Sequence, residues 1–225
     1  MPVPARSLGK SLAIASAAGL VVGVLTLGGQ ALPGYVFRHI TESSAVKAVT
    51  DVVAQLSNSG ATWSAIAFLI VAALSLTRWA AALGGFLTLA GATVGYYAAA
   101  TIFLHDDLSS TALRGPLIWA AIAVVAGPLF GLAAAIWRHG PTRLRPWALA
   151  TPSALFIAEG LYNAIILHYW TESAVAVIIG LLLVIGLART STERRAALIR
   201  LLPTLAAIGS AFAAAVLITD AAFRA

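Results

Sequence analysis

No cysteine and only one methionine occur in the 225-residue chain, and just 10% of its residues are charged. The missing thiols exclude disulfides, thiolate metal ligands and cysteine nucleophiles. The low charge excludes an ordinary soluble domain, where about a quarter of residues carry charge. Acids are scarce, with 8 Asp and Glu against 14 Lys and Arg. Several catalytic signatures are also missing: His-Glu-x-x-His, Gly-x-Ser-x-Gly, a Walker loop, and the paired aspartates of prenyl-diphosphate chemistry. The last apolar run has no lysine to form a Schiff base. These absences argue against an enzyme, and neither a cofactor nor a metal site is expected.

What remains is apolar. Hydrophobic residues make up 60% of the chain and mean hydropathy is +0.94, the composition of an integral membrane protein. We expect an all-α polytopic transmembrane bundle forming a single domain over residues 1–225. Seven spans are read from the runs at about 11–27, 61–76, 80–104, 116–137, 146–169, 174–188 and 199–218. The first run exceeds a signal-peptide core of about 7–15 residues, so it is read as a span and not as a cleaved leader. Pro33-Gly34 is expected to end it. Residues 41–56 are too polar to span. Val46, Val49, Val53 and Leu56 form a stripe opposite Lys47 and Asp51, which predicts an amphipathic helix lying on the outer face of the membrane.

The basic residues fall in short connections and form no continuous face, so no nucleic-acid partner is expected. A cytoplasmic N-terminus puts ten of them inside (Arg6, Lys10, Arg78, Arg138, Arg143, Arg145, Arg189, Arg194, Arg195 and Arg200) and four outside. That imbalance predicts the threading N-terminus in, C-terminus out. Twelve arginines against two lysines suit a GC-rich bacterial genome, and the expected location is a bacterial plasma membrane. Gly19 and Gly23 in the first run, and Gly84, Gly85, Gly91 and Gly95 in the third, form faces on which helices can approach closely. A membrane-protein partner or a second copy could use the same faces.

One ionisable residue stands at mid-depth. Glu159, in Phe156-Ile-Ala-Glu-Gly-Leu-Tyr-Asn163, interrupts an otherwise apolar run, and an acid there needs a partner, a proton or a wet cavity. Tyr162 and Asn163 follow at i+3 and i+4 on the same helical face. Tyr96 and Tyr97 of the third span fall at similar depth, as does Pro128 of the fourth, which is expected to kink its helix and free a carbonyl. Together these six residues predict an outward polar cavity centred on Glu159. It would bind or move a small solute or a proton, as a transporter or as the substrate-binding membrane subunit of one. The alternative is a non-catalytic scaffold in which Glu159 is internal glue. A weaker alternative is a lipid-modifying enzyme using Glu159 and His168.

Several short motifs carry a resemblance. Trp63 with Ala67-Phe68, Gly95-Tyr96-Tyr97, Gly127-Pro128-Leu129-Phe130-Gly131 followed by Trp137-Arg138, and Glu159-Gly160 are similar to those of a family of small actinobacterial integral membrane proteins. That family is catalogued only as a domain of unknown function. The resemblance runs from the second span to the fifth. It implies an actinobacterial plasma membrane and supplies no catalytic residues.

Overall fold

The computed structural model describes residues 5–39, 44–105 and 114–224, and among these the secondary structure is helical throughout. The helices are α1 (Ala5–His39), α2 (Ser44–Ser57), α3 (Gly60–Ala73), α4 (Arg78–Ala99), α5 (Arg114–His139), α6 (Arg145–Ile165), α7 (Trp170–Leu187) and α8 (Ser191–Arg224). A π-helical turn, Ala100–Leu104, extends α4 and ends at His105 in the left-handed conformation. Five of the helices are long and apolar enough to cross a membrane: α1, α4 with its π turn, α5, α7 and α8. A sixth span arises if α2 and α3, bent by 63° at their junction, are counted as one broken span. α3 alone has 14 residues, a rise of only about 21 Å against a hydrocarbon core of about 30 Å. α6, which carries Glu159, is not among the apolar five.

Glycine decides how closely the first layer packs. A Cβ at Gly19 or Gly23 would collide with the carbonyl oxygens of Thr88 or Ala92 on α4. In return, Gly91 and Gly95 fit against the backbone of Ser16 and Leu20 on α1. On its other side α4 meets α5 in the same way, with Gly85 against Gly127 and Gly131 against the Ala81 carbonyl. The glycine faces read from the sequence are therefore spent on contacts within the chain. α5 runs as one helix through Pro128.

α6 forms the centre of the second half. Fourteen of its residues are buried, Leu149, Ala150, Ser153 and Ala154 completely. It packs against α3, α5, α7 and α8, and the main core cluster gathers Phe68, Val71 and Leu76 with Phe130 and Phe156. This central role explains how α6 tolerates Ser153, Glu159 and Asn163, which neighbouring helices bury. α8 lies outermost, with Ile199, Leu202, Leu217 and Ile218 exposed.

Two expectations about the segment from Pro33 to Ser57 change. α1 continues through Pro33-Gly34 to His39 instead of ending there. In α2, Thr50 is the buried residue and Val49 is 64% exposed, so the stripe is rotated from the one drawn. Thr50 can face inward because its hydroxyl donates to the carbonyls of Val46 and Lys47, leaving no donor unpaired. α2 lies between α1 and α7.

Candidate functional site

The site is a helix break. Between α2 and α3 the chain turns at Asn58-Ser59, and the first N–H groups of α3 have no intrahelical acceptors. Ser59 is the N-cap, extended at φ −91° and ψ 123°, and its hydroxyl oxygen accepts from the Thr62 N–H at 3.0 Å. Glu159 supplies the next acceptor. The Ala61 N–H donates to its Oε2 at 2.9 Å across 98 residues of sequence. Glu159 is 7% exposed. A negative group at a helix N-terminus is also favoured by the aligned peptide dipoles, most strongly where water is excluded. Gly60 lies beside the contact, and a Cβ there would fit at ordinary van der Waals distance, 3.9 Å from Glu159 Oε2 and from the Trp119 ring.

A second set of contacts holds the break from the α1 and α4 side. Tyr96 donates its hydroxyl to Gln30 Oε1 at 2.7 Å, and Gln30 Nε2 donates to Asn58 Oδ1 at 3.2 Å. Trp63 Nε1–H donates to the Ser57 carbonyl at 2.9 Å, giving a partner to one of the carbonyls freed at the end of α2. The rings form a chain, with Trp63 5.4 Å from Trp119 and 5.9 Å from Tyr96, and Tyr96 5.1 Å from Tyr97. Gly29 clears room for the Ser57 side chain. A cavity of about 20 Å³ lies beside Gly60, lined also by Trp63, Ser64, Thr93 and Trp119. That is room for about one water molecule.

The six residues named from the sequence are divided by the fold. Glu159 and Tyr96 both tie down the break, from opposite sides, and Tyr97 joins through its ring contact with Tyr96. Asn163 is 2% exposed on α6, and its backbone carbonyl accepts from the Tyr169 N–H in the turn before α7. Tyr162 turns to α8 and packs edge-on to Phe212 at 5.7 Å. The α5 residue level with Glu159 is Trp119, beside Gly60, and Pro128 lies nine residues along the helix from it, about 13 Å by helical rise. The sequence reading missed Gln30, Asn58, Ser59 and Trp119. Asn58-Ser59 before an apolar run is an N-cap signal, but nothing local pairs it with an acid 98 residues away.

His105 and His168 are exposed at left-handed turns, with φ of 57° and 60°. Asp106 and Asp107 lie outside the described residues. Among the described residues, no group of three or more His, Cys, Asp or Glu comes together. His168 is exposed in the α6–α7 turn, whereas the Glu159 carboxylate is buried against α3.

The profile of a family of unknown function, DUF6518, matches residues 2–221. The chain belongs to this family. The match takes in the α2–α3 break, Glu159 and nearly all of the remaining chain. No curated protein and no solved structure matches the chain.

Proposed function

We propose that this member of the family is a non-catalytic membrane subunit, a helical scaffold in which Glu159 is an internal tie. The observation that carries the reading is the use of the Glu159 carboxylate: it accepts from the Ala61 N–H in the first turn of α3. A carboxylate committed to its own chain is not free for a solute. On this reading seven segments thread a bacterial plasma membrane from a cytoplasmic N-terminus: the five apolar helices, α6, and the broken α2–α3 span, in which α2 starts at the outer face. A partner subunit would bind away from the glycine seams, which α1, α4 and α5 use among themselves. The outward face of α8 is the open alternative.

A second reading is favoured by a specific feature. Discontinuous helices whose half-helix ends meet intramembrane charges are the building blocks of many transporters, and α2–α3 is such a pair. In that case Glu159 is a resident anion at a site that a solute or proton would contest. Reconstitution decides between the two. The scaffold reading expects vesicles containing wild-type protein and vesicles containing Glu159→Gln to show the same proton and small-anion leak as empty vesicles. Flux that wild type carries and Glu159→Gln loses would overturn it in favour of the transporter.

A further inference from the structure

We infer that the arginine-rich end of the bundle binds the phosphate of an anionic phospholipid beside the start of α6 and the first turns of α8. The C-terminal ends of α5 and α7 meet the N-terminal ends of α6 and α8 here. Arg189, between α7 and α8, donates from Nη2 to the carbonyls of Trp137 and Arg138. Its guanidinium lies 5.2 Å from the Trp137 ring. Arg200 lies 5.5 Å from the Trp147 ring and donates from Nη1 to the Ala196 carbonyl. Arg194 and Arg195 are exposed on the same helix. Among the described residues, the only acid at this end is Glu193, and its Oε2 accepts from the Arg189 N–H.

Three features point to a lipid phosphate. An arginine held near an indole face can take a phosphate oxygen through directed N–H···O bonds, and Arg189 and Arg200 are both so placed. Arg200 Nε is buried and has no acceptor among the described residues, and an orphaned donor of a charged group calls for one. Arg200 is also six residues further along α8 than Arg194, about 9 Å deeper by helical rise. That places it toward the hydrocarbon edge, where headgroup phosphates lie. The inference does not depend on which side of the membrane this end faces or on the role of Glu159.

Native mass spectrometry of the full chain, released from nanodiscs of phosphatidylcholine with an equal share of phosphatidylglycerol, reads the preference directly. We expect phosphatidylglycerol to be retained at least about fivefold over phosphatidylcholine. Arg200→Gln should reduce the preference about fivefold, as should the exposed Arg195→Gln if the deeper variant fails to fold. Lys47→Gln, at the opposite end, should leave it unchanged. Equal retention of the two lipids would overturn the inference, as would a preference that Arg195→Gln and Arg200→Gln leave intact. Thermal stabilisation in detergent by inorganic phosphate equal to that by phosphatidylglycerol would assign the site to a free anion and overturn the lipid source.

Discussion

The carboxylate of Glu159 and the backbone N–H of Ala61 meet at 2.9 Å, joining the most buried helix of the bundle to the first turn of a helix that starts inside it. The contact satisfies two needs at once. An intramembrane acid requires donors, and a helix beginning away from water requires acceptors for its first N–H groups.

Removing the acid therefore removes a cap. Glu159→Ala leaves the Ala61 N–H without an acceptor in a dry setting, and the expected loss is about 2–3 kcal/mol, combining a lost cap with an unsatisfied donor. Glu159→Gln keeps an oxygen that can accept, so its loss should be smaller, about 1 kcal/mol. Reversible unfolding in detergent micelles would rank the two. Equal stability of Glu159→Ala and wild type would show that the contact ties nothing.

The opposite side of the break depends on Tyr96. Tyr96→Phe deletes the hydroxyl that donates to Gln30 and leaves the ring contacts with Trp63 and Tyr97 in place. Interhelical hydrogen bonds in membranes average about 0.6 kcal/mol, so the cost to global stability should be about that size. The local effect should be larger. Amide hydrogen exchange at Ser57–Ser59 should speed up several-fold while α6 stays protected, and uniform protection across both segments would contradict the link.

Apolar runs with punctuating Gly, Pro and Trp residues revealed most helices to within a few residues, because a span must be long and apolar whatever its neighbours. The acid at position 159 was equally visible, since charge at depth is rare enough to mark itself. Its purpose was hidden. A cap between α6 and α3 is set by how helices stack, and no local pattern joins Glu159 to Ala61. Trp63, near the start of α3, shows the same limit: it is 6% exposed and bonded to Ser57, while Trp79, at the start of α4, is 82% exposed. Periodicity also put Val49 where Thr50 sits, because a threonine that bonds its own helix can be buried as readily as a valine.

Lys47 on α2 provides a pH test. Its ammonium bonds Asp51 one turn on, at 2.5 Å, and the hydrogen bond and charge of Asp51 hold its pKa above the ordinary lysine value of 10.5. A raised folded-state value means the contribution is complete below the unfolded pKa and is lost only as pH rises through the folded one. Side-chain NMR of Lys47 should therefore show it protonated from about pH 6 to 9 and titrating only in the alkaline range, above 10.5. Because the pair lies within α2 and the lysine is solvent-exposed, Lys47→Gln should have little effect on stability at neutral pH. Titration of Lys47 between about pH 6 and 9 would contradict the pairing with Asp51.

Helix approach makes the sharpest stability prediction, since the glycines divide into those in contact and those in open space. A Cβ at Gly23 meets the Ala92 carbonyl, and one at Gly131 meets the Ala81 carbonyl; both obstacles are backbone, which cannot rotate away. Gly23→Ala and Gly131→Ala must push α1 or α5 off α4 and should each cost about 1–3 kcal/mol. Gly28 and Gly186 have no atom within 4 Å of the added carbon. Gly28→Ala should stabilise by up to about 1 kcal/mol, as alanine does over glycine inside a helix, and Gly186→Ala, near the end of α7, by less. Scanning these four variants by unfolding in the same micelles should therefore give opposite signs on two glycines five residues apart in one helix. Equal effects at positions 23 and 28 would mean that α1 does not dock on α4 through this seam.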